Sequence, residues 1–406
     1  MPPRYEPPWV GRVPAARRPS FPVLREDRSD AVVIVGAGLT GCATAYACAS
    51  AGLKPVVLEA GRLASAGTAA GAGLILPWPE VAFRDVVAAS GLRVGKAAFK
   101  SWRRASLDAA TLLKRLAVRC DLTPVDVLSI AGAGEGERLL KREFDARVDA
   151  GLDLRWLTER QARAAILGDG GAGMRQSGAF GFDPYRASLG LAMAAAKKGA
   201  TFFEGTPVTR IRHARAHVDV VTAKGTIKAQ NVVVATGEPG ALFASLRRHF
   251  TPHDTYHVLT EELPAAIRRQ VVGAGLVLED TRSPHWLARL TPDNRFLVAG
   301  ASQRAAKKTA RERLLRHWTF ELMYELLKQY PSISGTQPVN GWTEVQAVTR
   351  DGLPYIGLHR NYPRHLFAWG GAAGGSSTGA FLAARLLVRA LTDTTETADA
   401  AFGFTR

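Results

Sequence analysis

Three glycines and a glutamate near the start of the sequence have the spacing of a nucleotide-binding turn. Gly36, Gly38 and Gly41 follow the apolar run 31–35, and Glu59 closes a second apolar run. The first glycine permits a tight turn, the second lets the backbone approach a diphosphate, and the third lets the following helix pack closely on the strand. The start of that helix favours the diphosphate charge, and a carboxylate can accept hydrogen bonds from ribose hydroxyls. The pattern predicts a dinucleotide site in which the charge of Glu59 disfavours NADP.

The apolar pattern also indicates which elements position these residues. The β-branched run 31–35 is typical of a parallel strand buried on both faces, and a helix over 39–50 and a short strand over 55–58 are predicted after it. Two long helices, about 94–119 and 305–329, carry apolar stripes that belong to the core. Further strand patterns lie at 218–221, 232–235, 258–260, 296–299 and 366–369. This order predicts one α/β domain assembled from separated segments, with a strand-rich second domain inserted into it.

Four later segments favour FAD over NAD as the dinucleotide. They are 61–73, 231–237, 349–357 and 366–379. The last segment is a strand and a glycine-rich loop before a predicted helix, so a second helix N-terminus lies in the same domain. Its positive end can stabilise an anionic reduced flavin. The residues predicted to contact FAD are Gly36, Gly38, Leu39, Thr40, Gly41, Glu59, Ala60, Arg62, Thr68, Ala70, Gly71, Gly73, Val208, Ala235, Thr236, Gly237, Gly371, Ala372, Gly374, Gly375, Ser376, Ser377 and Thr378.

In this order along the chain, the motifs resemble the FAD-dependent family that includes D-amino-acid oxidase, glycine oxidase and monomeric sarcosine oxidase. The resemblance covers about residues 30–392. Besides the glycine turn it rests on 181–186, 204–208, 235–237 and 259–261, together with the two C-terminal segments. It implies removal of a hydride from a carbon–nitrogen bond, which gives an imine, with the electrons passed to oxygen or another acceptor.

The resemblance also implies a fold, an α/β architecture of two domains. We expect a Rossmann-like FAD-binding domain built from separated segments and a substrate domain with a large mixed β-sheet, with the flavin ring between them. The expected boundaries are a flexible or surface-hugging N-terminal arm (1–28), the FAD-binding domain (29–80, 158–252 and 345–392), the substrate domain (81–157 and 253–344) and a C-terminal tail (393–406).

The sequence departs from this family at positions that matter for chemistry. Glu344 stands where sarcosine oxidases attach flavin through cysteine, and no histidine occurs in 63–76, where other relatives attach it. The resemblance therefore implies non-covalent FAD. The carboxylate-binding arginine of glycine oxidases is missing from 341–344, and the lysine of sarcosine oxidases that activates oxygen is missing from 296–300. A free amino acid and a bulkier or less charged amine both remain open as the substrate.

Five side chains are candidates for the substrate pocket, and the catalytic residues stay unassigned. Trp286 falls where relatives have a pocket aromatic, although a core tryptophan fits the pattern equally well. His285 and His257 could take up a proton near neutral pH. Arg289 or Arg350 could pair with an anionic substrate group, but in so basic a chain most arginines are solvated.

Composition places the chain among globular proteins. Its 406 residues are 47% hydrophobic, and 53 Lys and Arg against 36 Asp and Glu give a net charge of +17. The basic residues are spread along the chain, which indicates a solvated basic surface. The three cysteines, Cys42, Cys48 and Cys120, are too few and too scattered for a disulfide framework or a metal site, which predicts a reducing, cytoplasmic compartment. No run approaches about 20 apolar residues, so no membrane span is expected.

Three alternatives to an amine-oxidising flavoenzyme stay open. The net charge of +17 would suit an RNA-associated flavoprotein of the tRNA-modification type. The glycine turn alone would also suit an NAD-linked dehydrogenase, or a nucleotide-binding protein without catalysis. We therefore expect a small amine or amino acid and an electron acceptor as partners, with nucleic acid a weaker possibility.

Overall fold

Two β-sheets and the helices that cover them make up the structure, a computed structural model that describes residues 2–371 and 377–406. The α-helices are α1 (Leu39–Ser50), α2 (Gly67–Ala70), α3 (Phe83–Ser90), α4 (Leu92–Arg115), α5 (Glu135–Asp149), α6 (Glu159–Ile166), α7 (Pro184–Lys197), α8 (Ala265–Arg268), α9 (Lys308–Gln329) and α10 (Thr378–Leu391). The strands are β1 (Arg28–Val35), β2 (Val56–Leu58), β3 (Leu74–Ile75), β4 (Thr123–Ile130), β5 (Arg155–Leu157), β6 (Gly173–Gly181), β7 (Thr201–Phe203), β8 (Val208–His213), β9 (Val218–Thr222), β10 (Thr226–Gly237), β11 (Thr251–Thr260), β12 (Leu276–Asp280), β13 (Trp286–Leu290), β14 (Phe296–Arg304), β15 (Pro338–Val348), β16 (Tyr355–His359) and β17 (Tyr362–Trp369).

The first sheet is 8-stranded and has a parallel centre. Its order is β16-β17-β10-β1-β2-β7, with the hairpin β8–β9 added beside β10. β17, β10, β1, β2 and β7 run parallel to one another. Val33 and Ile34 of β1 belong to different hydrophobic clusters, so both faces of this strand are covered. This confirms the buried parallel strand that its β-branched run predicts.

The second sheet is 9-stranded and mixed. Its order is β15-β11-β14-β13-β12-β4-β6-β3, with β5 added beside β6. Most neighbours are antiparallel, and β12 and β4 are parallel. The expected α/β fold with a large mixed sheet is confirmed.

Two strands, β3 and β6, belong to a sheet other than the one in which the expected domain boundaries place them. β3 and β6 fall within segments assigned to the FAD-binding domain, but both pair in the second sheet. Gly181 of β6 lies opposite Leu74 of β3 on one side and Thr123 of β4 on the other. The backbone of β6 pairs with β3 and β4, which are both remote from it in sequence. A division of the chain into continuous segments therefore does not predict which sheet β6 joins.

Two long helices predicted from their apolar stripes are present as α4 and α9. Phe99, Trp102 and Leu113 of α4 are buried, as are Leu322 and Leu326 of α9. The stripes pack into the core, as amphipathic spacing requires. Across the described ranges, no helix is both long enough and apolar enough to cross a membrane.

The N-terminal arm lies against the second sheet. The Arg4 N–H donates to the carbonyl of Val339 at 2.8 Å, and the Gly341 N–H donates to the carbonyl of Arg4 at 2.9 Å. The side-chain amide of Asn340 donates to the carbonyl of Glu6 at 3.0 Å. Trp9 is buried, at 1% exposure. Of the two forms expected for the arm, the structure therefore shows the surface-hugging one, anchored by backbone pairing and one buried ring.

The last residue of the sequence, Arg406, packs against the turn that precedes β16. The Arg406 guanidinium is 2% exposed and lies 2.7 Å from the Asp351 carboxylate. Burial alone would raise the pKa of Asp351, but the hydrogen bonds and the charge of Arg406 outweigh it and hold that pKa below its usual value. Arg406 thereby fixes the turn before β16, which belongs to one of the segments that favoured FAD.

Candidate functional site

The turn between β1 and α1 requires glycine for steric reasons at Gly36 and Gly41, and Gly38 leaves its backbone open. Gly36 has a φ of +101°, and a Cβ there would lie 2.7 Å from the carbonyl oxygen of Ala235. A Cβ at Gly41 would lie 1.8 Å from the carbonyl oxygen of Gly36. A Cβ at Gly38 would meet only the Thr68 hydroxyl within the described chain, at 3.0 Å. The backbone at Gly38 therefore borders open space, which is the geometry that diphosphate binding requires.

Two helix N-termini converge on one cavity of about 190 Å³. Leu39 and Thr40 line it from α1, and Ser377 and Gly379 line it from the start of α10. The N-cap residue of α1, Gly38, has no side chain, and the N-cap side chain of α10, Ser377, accepts no hydrogen bond from the first turn. β1 and β17 are separated only by β10, so the parallel strands bring both helix starts to the same edge of the sheet. Both ends direct a positive dipole at this cavity, as an anionic cofactor needs.

Glu59 connects two turns beside the cavity. One carboxylate oxygen accepts the N–H of Ala37 at 2.8 Å, and the other accepts the N–H of Gly61 at 2.8 Å. Each oxygen keeps a further lone pair, so the carboxylate can also accept hydrogen bonds from ribose hydroxyls. The Thr68 hydroxyl accepts the N–H of Leu39 at 2.8 Å. This hydrogen bond joins the glycine-rich segment 61–73 to the start of α1.

Three buried side chains donate hydrogen bonds to the carbonyl groups of residues 70–73, the second loop of the site, which we call the cofactor loop. Trp342 Nε1 donates to Ala70 at 2.9 Å, Trp9 Nε1 donates to Gly71 at 3.0 Å, and Arg289 Nη2 donates to Ala72 at 3.3 Å and to Gly73 at 3.1 Å. The donors come from β15, the N-terminal arm and β13. Because buried carbonyl groups need hydrogen-bond partners, these donors fix the loop that forms one wall of the cavity.

Arg289 is not one of the solvated arginines that the basic composition favours. It was a candidate partner for an anionic substrate group, and in the structure its guanidinium is 3% exposed and donates to the loop carbonyls. Burial lowers the pKa of Arg289 to about 10. The alternative candidate, Arg350, lies exposed at the surface.

One face of the second sheet carries polar side chains toward this loop. His257 of β11 is fully buried and stacks on Trp342 of β15, with ring centroids 5.1 Å apart and planes 7° apart. Its Nε2 lies 3.4 Å from a carboxylate oxygen of Glu344. Since alternate residues of a strand share a face, Glu344 lies on the same side as Trp342, and it lines the cavity. Of the candidate histidines, His257 is the one that this arrangement brings to the site.

Trp286 and His285 lie away from the cavity. Trp286 is buried in the cluster that also contains Tyr256, Val258 and Leu322, so it packs toward α9 on the opposite face of the sheet. His285 is exposed and its Nε2 lies 3.1 Å from a carboxylate oxygen of Glu279. The core interpretation of Trp286 therefore fits the structure better than the pocket interpretation, because the face of β13 that carries it is turned away from the cofactor loop.

The other predicted cofactor residues occupy varied positions. Gly237 lines the cavity, and the hydroxyl of Thr236 accepts the indole N–H of Trp369 at 3.1 Å. Arg62 forms an ion pair with the buried carboxylate of Glu204 at 3.0 Å, and Val208 lies in the β8–β9 hairpin. Ala60 follows Glu59 directly, Ala235 lies near the end of β10 beside Gly36, and Gly371 forms an isolated β-bridge with Val348. Ala372, Gly374, Gly375 and Ser376 lie outside the described residues.

Sequence reasoning missed two of the three side chains that hold the second loop. Trp342 shares a strand face with Glu344, and the period-2 spacing of β15 is the signal that could have identified it. Trp9 lies in a proline- and arginine-rich arm without apolar periodicity, so no comparable signal was present.

The residues present fit FAD. The open backbone at Gly38 and the positive end of α1 suit a diphosphate, and Glu59 suits a ribose. Gly71 of the second loop and Ser377 at the start of α10 line the same cavity as the nucleotide-binding turn. The site therefore extends past the turn, as a cofactor with a second ring system requires. The groups that would meet the cofactor are backbone N–H donors at the helix starts and the Glu59 carboxylate, which accepts hydrogen bonds. No cluster of metal ligands occurs in residues 2–371 and 377–406.

Comparison with known proteins agrees with this geometry. The family described as FAD dependent oxidoreductase matches residues 31–390. The chain is 25% identical over 385 residues to γ-glutamylputrescine oxidoreductase of Escherichia coli, covering 94% of this chain and 88% of that protein. It is 27% identical over 355 residues to glycine oxidase of Bacillus licheniformis, covering 83% and 86%. The crystal structure of glycine oxidase from Geobacillus kaustophilus superposes with a TM-score of 0.76 at 20% identity, covering 93% of this chain and 99% of that one.

Proposed function

Because this chain belongs to the family of FAD-dependent oxidoreductases, we propose that it removes a hydride from the carbon–nitrogen bond of a primary or secondary amine or amino acid. The predicted family, cofactor and enzyme class are confirmed at the level of an FAD-dependent oxidoreductase. The product of the proposed reaction is an imine, and the electrons pass on to oxygen or another acceptor.

The observation that carries the proposal is the convergence of α1, α10 and the second sheet on one cavity. A nucleotide-binding turn alone would suit many enzymes. The continuous wall formed by Thr68, Gly71 and Glu344 adds a surface from the substrate side of the molecule. The relatives named γ-glutamylputrescine oxidoreductase and glycine oxidase support the choice of an amine or amino acid. The match to an FAD-dependent family favours this function over an NAD-linked dehydrogenase.

Each part of the site has a defined task in the proposed reaction. The bound FAD supplies the hydride acceptor. The starts of α1 and α10 stabilise negative charge on the cofactor, and Glu59 orients its ribose. The loop 70–73, fixed by Trp9, Trp342 and Arg289, would form the wall of the cofactor site on the side of the second sheet. The chain mainly aligns the substrate and excludes water from it.

We further propose that FAD is held without a covalent bond. Glu344 stands at the position where a cysteine would be needed, and a carboxylate does not form the thioether. Cys42, Cys48 and Cys120 are all buried, and none of the three lines the cavity. Burial raises the pKa of Cys48 to about 12, which keeps that thiol protonated and unreactive.

The test is the visible spectrum of the purified protein during anaerobic addition of amines. A flavin band that bleaches with glycine, sarcosine, a D-amino acid or a diamine supports the function, and the panel identifies the substrate class. A flavin band that none of these compounds bleaches contradicts it. Acid precipitation should leave all the flavin in the supernatant, whereas flavin in the pellet contradicts non-covalent binding.

A matched pair of glycine variants tests the cofactor site itself. Gly41→Val places atoms where a Cβ alone would lie 1.8 Å from a carbonyl oxygen, so we expect loss of bound FAD. Gly240→Ala has nothing within 4 Å of its new Cβ among the described residues and should keep FAD. Equal flavin content in the two variants would argue against the predicted diphosphate position.

A further inference from the structure

The cofactor cavity contains one charged side chain among its described lining residues, Glu344. The remainder of that lining is apolar, glycine, or hydroxyl-bearing. The Glu344 side chain is 13% exposed, so water screens its charge only weakly. A carboxylate in such a position interacts with any charge that develops in the cavity more strongly than it would in water.

Within the described part of the chain, this carboxylate has little compensation. Its Oε2 makes no hydrogen bond and lies 3.4 Å from Nε2 of His257, its one ion-pair partner. Both ring nitrogens of His257 also lack a hydrogen-bond partner there, and the ring is fully buried against Trp342. Buried polar groups without partners carry a free-energy cost, so a pair of them at a cofactor wall points to a functional role.

The charge of Glu344 acts against the positive ends of the two helices that line the same cavity. The starts of α1 and α10 favour negative charge on the cofactor. The carboxylate disfavours negative charge in the same space. Reduction of a flavin to its anionic form adds such a charge, and so does the addition of sulfite to the oxidised ring. The balance between these groups therefore affects how readily the cofactor accepts electrons.

We propose that Glu344 acts on the bound flavin through its charge, lowering its reduction potential and its affinity for anions, and that His257 offsets this charge. The effect makes hydride acceptance less favourable and the delivery of electrons to an acceptor more favourable. The inference rests on FAD binding, which family membership shows, and is independent of the amine substrate.

The test compares charge-altering variants of the holoenzyme by redox titration with reference dyes and by sulfite titration of the flavin band. In Glu344→Gln the equilibrium constant for two-electron reduction should rise about tenfold, which is about 30 mV. Its sulfite dissociation constant should fall by about the same factor. Glu344→Asp keeps the charge and should restore both values to within about threefold of the wild type.

A matched control comes from the other His–Glu pair of this sheet. Glu279 lies 3.1 Å from His285 and does not line the cavity. Glu279→Gln removes an equivalent carboxylate and should leave the potential and the sulfite affinity unchanged. A shift in this variant equal to that of Glu344→Gln would show a general charge effect and would overturn the proposal.

The partner histidine supplies a second, opposite readout. His257→Asn leaves the carboxylate without its neighbour, so the potential should fall and sulfite should bind more weakly. This variant decides the question if Glu344→Gln does not retain FAD. Unchanged potentials in the flavin-binding variants, or shifts of the same sign for both partners, would overturn the proposal. These titrations use no amine, so they can succeed or fail independently of the proposed reaction.

Discussion

Two buried tryptophans on neighbouring parts of one sheet have opposite roles. Trp286 and Trp342 are both 2% exposed. Trp286 belongs, with Tyr256 and Leu322, to the hydrophobic cluster under α9. Trp342 stacks on His257 and donates its indole N–H to the cofactor loop. Burial alone therefore does not distinguish a core aromatic from a site aromatic, whereas the strand face that carries the ring does.

The polar content of the two faces leads to the same conclusion. The cluster beneath α9 is built from aliphatic and aromatic residues, and two polar residues buried beside this helix, Asp254 and Thr319, both bond to backbone groups. The opposite face carries His257 and Arg289, which are buried, and Glu344, whose side chain is 13% exposed. Because burying such groups is costly unless they gain partners or a function, their concentration on one face marks the site. The alternation of side chains along β11, β13 and β15 generates this division.

The largest expected effect belongs to the α9 face. Trp286→Ala should lower the free energy of unfolding by about 3–5 kcal/mol, because it removes a large ring from a packed core. Chemical denaturation measures this loss. The folded protein should still bind a full complement of FAD, since Trp286 does not line the cavity. A stable Trp286→Ala protein that has lost its flavin would contradict the assignment of this ring to the core.

Arg289 should show the reverse pattern on the cofactor face. Arg289→Met keeps the length of the side chain but removes the donor to the carbonyls of Ala72 and Gly73. Loss of charged hydrogen bonds to buried acceptors costs about 2–3 kcal/mol, and we expect most of it as weaker FAD binding. Equilibrium dialysis of FAD measures the affinity. Undiminished affinity, with a loss of stability alone, would place Arg289 among purely structural residues.

The sequence predicts the first βαβ unit well because its signals are local. The β-branched run, the three glycines and Glu59 fix strand, turn and helix over one continuous segment, and the predicted helix over 39–50 is α1. The second sheet is less predictable, since its strands pair between remote segments. The face of β13 on which Trp286 lies depends on register with β14, where Trp286 is opposite Gly300. No pattern within residues 286–290 shows which of these faces meets the cofactor loop.

A smaller effect is expected from the site tryptophan. Trp342→Phe keeps an aromatic ring but removes the 2.9 Å hydrogen bond to Ala70, which corresponds to about 1 kcal/mol. FAD should bind about fivefold more weakly as a result, as dialysis or flavin fluorescence would measure. Trp318→Phe is the matched control on α9, because the indole N–H of Trp318 has no partner within the described chain. If both changes weaken FAD equally, the difference between the two faces is not the cause.

The smallest effect should come from the exposed His–Glu pair, which differs from the buried pair at the cavity. Burial alone would lower the pKa of His285, but the hydrogen bond and the charge of Glu279 outweigh it and raise that pKa above its usual value. The stabilisation is therefore fully present below the unfolded-state pKa of about 6.5 and is lost as the pH rises through the higher folded-state pKa. His285 is half exposed, so the contribution should stay below about 1 kcal/mol.

Unfolding free energies of wild type and His285→Gln between about pH 5 and 9 measure that contribution, since the interval spans the histidine titration. The difference between the two proteins should shrink as the pH rises, and the bound flavin should keep the same spectrum in both. His257→Asn, in contrast, should alter the properties of the flavin. If His285→Gln changed the flavin and His257→Asn did not, the cofactor would lie against the opposite end of this sheet, and the division between its two faces would have to be reversed.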